Sequence, residues 1–594
     1  MEGNYTCRIL LIDLSTEKVS WSHLNKEVFH MLVGGRGLAI YYLLKNNPGN
    51  IDAFHPENSI LFATGPLTGV VAGGSSAIIA SKSPLTNLYY DDTIVGRLPV
   101  SLRKAGINML VLKGRSETPI YLWINDGEVE FRKANHIWGL NVVKSTETLL
   151  RETSREAGIA VIGRGGEYLV RYASIVTDGY YAVGGGLGAV FGAKKLKGIA
   201  VQGLHEIPKP AMFKDSGKRL HPDAGFQCTR VKHTLEAYRL LNERSLLATE
   251  NFRVINRKQV EYFIEDLSKI QYKEKSCQGC LMRCPSVIEF GDCLMELDWK
   301  AVHMLGPNIS TFNREKVFSQ IYGAFKLGLD PVSAGNVIGW AYEAFEKECF
   351  KGLLNPEAEE ALRSREVHRL LSDISERRGL GALLAEGVYK ASKIVLKGAS
   401  KYAVHFYGME VPGIDPRVDD RIALHYTTSG YLRDDCLMAL VNQCNQQNPV
   451  ENVIHVENEV HLRKSLVLCG NISLENSVYS MMLITVTGDQ SFTPENLYIV
   501  GERIATLIQL FNLREGLHQR TGRIPLRLLE ETIISDDKGE INPLDKEKLD
   551  LMLKKYYEKR GWSPLGRPFK NTYTKLGINK IMPKLLYLCE EDPE

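Results

Sequence analysis

Apolar and polar residues alternate in short runs over roughly the first 200 residues of the chain. The segments RILLIDLSTEKVSW and PIYLWINDGEVEFRKA each hold two such runs around a polar turn, and Asn125-Asp126-Gly127 has the composition of a tight hairpin turn. These patterns predict paired β-strands. Glycine runs interrupt them, as in GGRG (34–37) and GGGLG (184–188). Such runs are typical of tight packing between strands and of loops that bind phosphates, and the pattern alone leaves both open.

The periodicity changes after Pro208 and Pro210. Apolar residues then recur every three to four positions, which predicts amphipathic helices in segments such as HTLEAYRLLNERSLLATENF, REKVFSQIYGAFKLGL, GNVIGWAYEAFEKECF and NLYIVGERIATLIQLFNLREGL. A polar stretch near Asp536 to Asn542 indicates a surface loop, and no internal repeat is evident. The chain is therefore predicted to be an α+β protein with a β-rich domain at 1–208 and two mainly α-helical domains at 209–405 and 406–594.

Length and composition narrow the class of protein. A chain of 594 residues is too long for a single hydrophobic core. The net charge of +3 arises from interspersed cations and anions, which argues against a nucleic-acid-binding surface. The first residues lack the pattern of a signal peptide, and no apolar stretch is long enough to span a membrane. Eleven cysteines in such a chain indicate metal-site thiols in a reducing compartment, so we expect a cytoplasmic protein.

The cysteines include one run with metal-site spacing. Cys277, Cys280 and Cys284 form a C-x2-C-x3-C triplet, and Pro285 follows directly. Four thiolates are the usual ligands of a [4Fe–4S] cluster, whereas a zinc site more often has two separated C-x2-C pairs. The spacing favours iron–sulfur over zinc or unliganded thiols. It does not identify the fourth ligand, for which Cys293, Cys436 and Cys444 are candidates.

Several motifs along the whole chain occur in the order found in one known family. They are GGRGLA (34–39), ATGPLTG (63–69), SKSPLTN (81–87), GGGLGAVFGAKKLKGIAVQG (184–203), the cysteine triplet, GLDPVSAGNVIGWAYE (328–343), GMEVPGIDPR (408–417), SLVLCG (465–470) and GERIATLIQLFNLREG (501–516). In this order the chain resembles the tungsten and molybdenum aldehyde:ferredoxin oxidoreductases. The resemblance spans nearly the full length.

The resemblance implies a fold, cofactors and partners. It implies an N-terminal double β-sheet domain that forms the base for two pyranopterins, followed by two helical domains. One tungsten or molybdenum ion, a [4Fe–4S] cluster and a bridging Mg²⁺ complete the cofactor set that it implies. Members oxidise aldehydes, or in one branch reduce an aromatic acyl-CoA, and pass electrons to ferredoxin. A ferredoxin or ferredoxin-like subunit is thus the implied partner, and homodimers are common in the family.

The resemblance also assigns cofactor-binding residues, and this chain departs from the family at several of them. The family motif D-x-x-G-L-C corresponds to 464–469, which makes Cys469 the implied fourth cluster ligand and places Leu468 and Lys464 beside a pterin. The expected carboxylate is therefore Lys464, which can only donate hydrogen bonds. In the parallel motif Asp330 is retained, but the first polar residue is replaced by Phe325.

The positions that the family uses for phosphate and Mg²⁺ differ as well. The family carries arginines in and beside the glycine-rich loop and after the G-P-L-T-G motif, whereas this chain has uncharged residues at all of them. Arg97, Lys82 and Lys464 are the cations that could compensate. The position whose backbone carbonyl helps to hold Mg²⁺ is Thr93 here. The implied cofactor-binding positions on this side are Ser76, Thr93, Tyr181, Gly185, Gly186 and Gly188.

The implied reaction site is altered too. The family's E-Y-E segment corresponds to Asp298-Trp299-Lys300, so Lys300 stands where a carboxylate acid/base is expected. Asp435 stands in place of a histidine that donates to the substrate oxygen. Lys300 and Asp435 are then either an exchanged acid/base pair or a structural ion pair in a cavity that has lost its chemistry. His303 and His425 are nearby, although packing is the ordinary role of such histidines. Three hypotheses remain: an oxidoreductase, a non-enzymatic paralogue that relays electrons or is a structural subunit of a redox complex, and a zinc-stabilised scaffold without redox chemistry.

Overall fold

The computed structural model describes residues 7–210, 213, 234–270, 273–274, 286–428, 435–443, 448–470, 472–517 and 524–593. The predicted cluster ligands Cys277, Cys280 and Cys284 lie outside these ranges, as does Cys444. The described part of the chain begins with two β-sheets and continues with helices, so the predicted α+β class is confirmed.

Each of the two sheets has six strands. The first is ordered β2-β1-β6-β3-β4-β5, and the second β8-β7-β12-β9-β10-β11. Their bounds are β1 Arg8–Asp13, β2 Lys18–His23, β3 Ile60–Ala63, β4 Ser76–Lys82, β5 Tyr89–Val95, β6 Met109–Lys113, β7 Ile120–Asn125, β8 Glu128–Lys133, β9 Gly158–Ile162, β10 Ile175–Thr177, β11 Tyr181–Val183 and β12 Leu196–Gln202. Both predicted hairpins, β1–β2 and β7–β8, are present. Asp126 and Gly127 both adopt positive φ in the second turn, as a two-residue hairpin loop requires.

The two sheets share one topology. In each, the first strand forms an antiparallel hairpin with the second and pairs in parallel with the sixth, and the third, fourth and fifth strands complete the sheet. The first domain is therefore a structural repeat, which is not evident in the sequence. The two halves share strand order but not sequence, so a search for repeated letters does not find it. The fifth strands, β5 and β11, occupy equivalent positions and contact each other.

The two faces of the first sheet pack into two different hydrophobic cores. Leu10, Phe62 and Leu110 belong to a core shared with the second sheet and the helices of the middle of the chain. The neighbouring Ile9 and Leu61 belong to a core shared with the C-terminal helices. Successive side chains on a strand point to opposite faces, so one sheet serves both cores.

Helices supply the rest of the architecture. Three long helices begin with an N-cap residue followed by proline, at Asp330-Pro331, Asn448-Pro449 and Thr493-Pro494. The N-cap side chain accepts a free backbone N–H of the first turn, and proline has no N–H that needs an acceptor. The helices among the sheets are Lys26–Leu32, Gly35–Asn46, Arg97–Lys104, Val142–Glu152, Arg164–Glu167 and Leu187–Ala193. Those that follow up to residue 405 are Thr234–Glu243, Arg257–Ser268, Trp299–Met304, Arg314–Leu327, Pro331–Glu346, Pro356–Arg363, Val367–Ser375, Leu380–Leu384 and Val388–Val395. The C-terminal helices are Asp420–Thr428, Cys436–Asn442, Pro449–Leu466, Asn476–Thr487, Pro494–Arg514, Leu526–Glu530, Lys546–Lys559, Lys570–Lys575 and Ile578–Ile581.

Short strands lie among these helices. Ser286–Phe290 and Cys293–Glu296 form a hairpin that leads into the helix Trp299–Met304. Lys273–Glu274 adds a third strand to that sheet, His405–Phe406 pairs with Met409–Glu410, and Val254–Ile255 pairs with Ile533–Ser535. Ile533–Ser535 also forms a hairpin with Gly539–Ile541, so the surface loop predicted near 536–542 is partly a β-hairpin. None of the helices in the described ranges is long and apolar enough to cross a membrane.

Candidate active site

A cavity of about 240 Å³ lies where the equivalent strands β5 and β11 meet. The hairpin strand Cys293–Glu296 and the first turns of the helices Trp299–Met304 and Pro331–Glu346 close it. Four of the predicted site residues line it together, although they lie up to 150 positions apart in the sequence. Its polar lining residues are Asp92, Tyr180, Tyr181, Glu296, Asp298, Lys300 and Asp330.

Asp298 and Lys300 form an ion pair at the start of one helix. The Asp298 side chain accepts the backbone N–H of Lys300 at 3.1 Å, which caps the helix Trp299–Met304, and its other oxygen lies 3.3 Å from Lys300 Nζ. Burial alone lowers the pKa of Lys300, but the carboxylates of Asp298, Asp92 and Asp435 outweigh burial and raise that pKa above its usual value. Lys300 is therefore a firmly charged ammonium.

Two carboxyl groups in the cavity respond in the opposite way. Burial, together with the nearby Asp298 and Asp92, raises the pKa of Glu296 to about 8 even though Lys300 offsets part of the effect. Burial also raises the pKa of Asp92, against the opposing charges of Lys464 and Lys300. Burial and these same acids raise the pKa of the Tyr181 phenol. Of these groups, Glu296 therefore has a pKa near the physiological range.

Asp330 lines the opposite wall of the cavity. Its carboxylate accepts the backbone N–H of Val332 at 3.0 Å and the hydroxyl of Ser333 at 3.2 Å, so it is fixed at the start of the helix Pro331–Glu346. A carboxylate has further lone pairs and can accept another N–H from a ligand. The neighbouring Phe325, which also lines the cavity, offers an apolar ring at the position where the resemblance implies a polar residue.

The glycine-rich loop packs closely against the protein. Gly185 and Gly186 have φ values of 69° and 80°, which favour glycine. A Cβ would come within 2.2 Å of the Tyr90 ring at Gly185, 2.1 Å of the Arg171 carbonyl at Gly186, and 2.3 Å of the Ser174 carbonyl at Gly188. Of the two interpretations left open by the sequence, tight packing accounts for these glycines. Their role in binding phosphate remains a prediction.

A second group of predicted residues surrounds the end of the helix Pro449–Leu466. The Ser76 hydroxyl donates to the Val467 carbonyl, and the Cys469 backbone N–H donates to the Gly73 carbonyl at 2.9 Å. Leu468 is buried between them, and the Cys469 side chain is half-buried. Thr93 lies across the strand pair from this group, and its buried hydroxyl has no hydrogen-bond partner among the described residues.

Lys464 belongs to a buried charge cluster, which consists of Arg36, Asp91, His461 and Lys464. Arg36 donates two hydrogen bonds of 2.7 Å to the Asp91 carboxylate, and its third nitrogen lies 2.9 Å from His461 Nδ1. Lys464 Nζ lies 3.5 Å from the same carboxylate. Burial raises the pKa of Asp91, but Arg36 and Lys464 outweigh it and hold that pKa below its usual value.

Close contact between two helices makes this cluster possible. Gly35, with φ of 31°, lies so near the Lys464 carbonyl that a Cβ would approach it to 2.2 Å, and the Gly37 backbone N–H donates to Ser465 Oγ at 3.0 Å. The GGRG glycines therefore bring Arg36 against the helix Pro449–Leu466.

Asp435 does not line the cavity. It lies 3.2 Å from Arg463 Nη2, directly before the helix Cys436–Asn442. Burial raises its pKa, but Arg463, Lys464 and Lys300 outweigh burial and lower it, so Asp435 is ionised at neutral pH. Its charge reaches Lys300, but Arg463 is its ion-pair partner in the described part of the chain.

Other candidates from the sequence have structural partners. His303 Nδ1 lies 3.0 Å from the Tyr238 hydroxyl, and His303 Nε2 lies 2.7 Å from the Ala248 carbonyl oxygen. Burial lowers the pKa of His303 to about 4. His425 lies 3.0 Å from Glu457. Lys82 binds Glu515 at 2.5 Å, and Arg97 donates to the Arg155 carbonyl at 2.6 Å, so both of these cations are engaged away from the cavity.

Sequence reasoning missed Glu296 and the acid pair Asp91-Asp92. Two consecutive aspartates inside an otherwise apolar strand are a signal for Asp91-Asp92, because alternation buries one on each face. Glu296 carries no comparable signal, since it ends an ordinary short strand and becomes a cavity residue only through the packing of distant segments.

Two protein-family models together match most of this chain. The model described as the aldehyde ferredoxin oxidoreductase N-terminal domain matches residues 9–203, and that for domains 2 and 3 matches residues 212–578. The chain belongs to the aldehyde ferredoxin oxidoreductase family. The prediction from the order of its motifs is confirmed.

Individual members of this family align along the whole chain. A tungsten-containing aldehyde ferredoxin oxidoreductase of Pyrococcus furiosus is 30% identical and aligns with 97% of this chain and 99% of its own length. An aliphatic sulfonate oxidoreductase, WOR-like subunit, of the same organism is 27% identical over 97% of each chain. Among solved structures, the active site complex BamBC of benzoyl coenzyme A reductase matches with a TM-score of 0.81 and 22% identity over 98% of both chains, which supports the fold.

Proposed function

We propose that this member of the aldehyde ferredoxin oxidoreductase family is a tungsten- or molybdenum-dependent oxidoreductase that oxidises a small aldehyde or reduces a related acyl compound. In this proposal its electrons pass through a [4Fe–4S] cluster to a ferredoxin or a ferredoxin-like subunit. The names of its relatives, tungsten-containing aldehyde ferredoxin oxidoreductases and a subunit of a sulfonate oxidoreductase, support this class of reaction and of partner.

One observation carries the proposal. Tyr181, the pair Asp298 and Lys300, and Asp330 come from three separate segments of the chain and line one cavity between the two β-sheets and the helices. Titratable groups that share a cavity and shift one another's pKa are characteristic of a reaction site. A purely structural ion pair does not require the open volume beside Glu296 and Lys300.

Asp330 and Lys464, at the two positions that the resemblance assigns to pterin binding, do not fit a pyranopterin equally well. At Asp330 a fixed carboxylate lines the cavity and can accept N–H groups from an aminopyrimidinone edge. At Lys464 an ammonium, held 3.5 Å from Asp91, can only donate, so it suits carbonyl or phosphate oxygens instead. When bound, the metal and its pterins would supply the two-electron chemistry at the carbonyl carbon.

The residues of the chain would bind and polarise the substrate. Lys300 is a fixed cation because Asp298 holds it, and it can stabilise negative charge on a substrate oxygen. The aromatic rings of Trp299, Phe325 and Tyr90 line the same cavity and offer apolar contacts to a substrate. Asp435, already paired with Arg463, would act only through the electrostatic field at Lys300.

The alternative is an iron–sulfur paralogue without pterin. The residues at two positions that the resemblance assigns to pterin recognition favour it. Phe325 is apolar, and Lys464 is part of the buried cluster with Asp91 and Arg36. Such a chain would relay electrons within a redox complex or form a structural subunit of it.

Metal and pterin analysis of anaerobically purified protein separates the two. Stoichiometric tungsten or molybdenum with released pterin and about four iron atoms per chain is the result expected for the oxidoreductase. About four iron atoms without pterin, tungsten or molybdenum would contradict it and support the relay. Zinc in place of iron would contradict both.

Replacing Cys469 with serine tests the cluster independently of the pterin. We propose that Cys469 completes the set begun by Cys277, Cys280 and Cys284, because its backbone is fixed on Gly73 and its side chain is half-buried. Cys469→Ser should reduce iron and acid-labile sulfide well below about four per chain. Cys349→Ser, at a buried cysteine that the resemblance does not assign to the cluster, should not. Full iron in Cys469→Ser would exclude this ligand, and Cys293 would be tested next.

A further inference from the structure

The Glu296 carboxyl group differs from the other acids that line the cavity. Asp298 pairs with Lys300, Asp330 caps a helix, and Asp92 accepts the Thr93 backbone N–H at 2.8 Å. Within the described part of the chain, no donor is hydrogen-bonded to the Glu296 carboxyl and no cation pairs with it. Its side chain is nevertheless partly enclosed, at the end of the strand Cys293–Glu296.

The surroundings of Glu296 favour its acid form. Asp298 and Asp92 face it from the adjacent turn and from β5, and Lys300 faces it from the first turn of the helix Trp299–Met304. Tyr180, Tyr181 and Asp330 complete the titratable lining. Burial and the two aspartates outweigh Lys300, and the pKa of Glu296 rises to about 8. The group is therefore largely protonated at neutral pH and is a proton donor without an internal acceptor.

We propose that Glu296 is the catalytic acid of this cavity and transfers its proton to the carbonyl oxygen of the bound aldehyde or acyl substrate. The inference rests on the proposed function and names the proton donor that it requires. A general acid works best when its pKa lies near the working pH, and Glu296 meets that condition whereas the firmly charged Lys300 does not.

The transfer balances without a further reactant. The O–H bond of Glu296 breaks, a new O–H bond forms on the substrate oxygen, and the negative charge remains on the Glu296 carboxylate. Lys300 then offsets that charge, since its ammonium already lowers the pKa of Glu296. The step moves a proton and no electrons; the electron pair is exchanged with the iron–sulfur partner of the proposed function. When an aldehyde is oxidised, the carboxylate takes this proton back as the substrate oxygen becomes the carbonyl oxygen of the acid product, so Glu296 begins and ends each turnover protonated.

Infrared spectroscopy of the holoprotein tests the protonation state without any substrate. The carbonyl stretch of a protonated carboxyl should be present at neutral pH and disappear with a midpoint near pH 8. The component with a midpoint near pH 8 should be absent in Glu296→Gln and present in Glu289→Gln, a matched change at an exposed glutamate on the paired strand. A group that titrates at the ordinary glutamate value of about 4.3 would overturn the proposal.

Measurements of turnover test whether Glu296 donates its proton to the substrate, and not only whether it is protonated. In the wild type, kcat/KM should fall above about pH 8 as Glu296 loses its proton. Glu296→Gln should lower kcat by roughly 10²- to 10⁴-fold and remove that pH dependence. A Glu296→Gln variant with wild-type turnover and pH profile would overturn the donor role even if the infrared band is present. Protein that lacks pterin, tungsten and molybdenum would instead refute the proposed function, and with it the donor role, while leaving the infrared result standing.

Discussion

Replacing Lys300 with methionine is expected to lower kcat/KM for small aldehydes by roughly 10²-fold or more. Lys300 is the cation that lines the described cavity, and its ammonium offsets Asp298, Asp92 and the more distant Asp435. Methionine preserves most of the side-chain length but removes the positive charge. The remaining carboxyl groups would then repel the negative charge that develops on a substrate oxygen during carbonyl chemistry.

The same substitution has a second effect with a defined sign. Lys300 lowers the pKa of Glu296, so its removal should move the midpoint of the Glu296 infrared titration upward from about pH 8. This measurement needs no substrate and distinguishes loss of the cation from loss of the fold. The matched control is Lys326→Met, because Lys326 also lies 3.3 Å from an aspartate, Asp292, and is similarly exposed, but it does not line the cavity. The control should leave both turnover and the titration unchanged.

Unchanged turnover in Lys300→Met would remove Lys300 from the reaction. If the midpoint still rose, Lys300 would be close to Glu296 without contributing to catalysis. If neither value changed, the ion pair of Lys300 with Asp298 would serve only to begin the helix Trp299–Met304.

Local sequence patterns predict the elements of this fold well and their assembly poorly. Strand alternation around polar turns predicts both hairpins, and apolar periodicity predicts the long helices Arg314–Leu327, Pro331–Glu346 and Pro494–Arg514. The repeat of the six-stranded sheet is invisible in the sequence because it is a repeat of strand order, and unrelated side chains fill the two sheets. The polar stretch near Asp536 to Asn542 contains short strands because Ile533–Ser535 has a distant partner, Val254–Ile255, which local composition does not reveal.

The candidate site shows the same division. The resemblance to a family points to Asp298, Lys300 and Asp330, since motif order is preserved along the chain. It does not point to Glu296, because the acid lies outside the family motif and acquires its character from Asp92, Asp298 and burial. A pKa depends on the three-dimensional surroundings of a group, so a site altered by several substitutions has to be read from the packed structure.

Replacing Arg36 with methionine is expected to destabilise the protein by about 3–5 kcal/mol, the usual cost of removing one partner from a buried ion pair. Arg36 and Asp91 are fully buried and joined by two hydrogen bonds of 2.7 Å. After the substitution Lys464, at 3.5 Å, is the remaining cation of the cluster, so Asp91 would keep a buried charge with weaker compensation. Chemical unfolding followed by circular dichroism measures the loss.

The effect should be local before it is global. The helices Gly35–Asn46 and Pro449–Leu466 are joined through this cluster and through the contact of Gly37 with Ser465, so hydrogen exchange should accelerate in both helices first. Because the pKa of Asp91 is held below its usual value, the stabilisation is fully present at neutral pH and is lost only as the pH falls through that lowered pKa.

Two further variants distinguish the effect of removing the Arg36 charge from the effect of removing side-chain volume. Lys559→Met removes an ion pair of the same 2.7 Å length from the surface, where Glu451 stays solvated, and should cost less than about 1 kcal/mol. The double variant Arg36→Met with Asp91→Leu removes both charges and should recover a large part of the loss, because an unpaired buried carboxylate no longer remains. A double variant as unstable as Arg36→Met alone would show that Arg36 stabilises the helix contact by packing and by its bond to His461, and that Asp91 is not the group left in need of a partner.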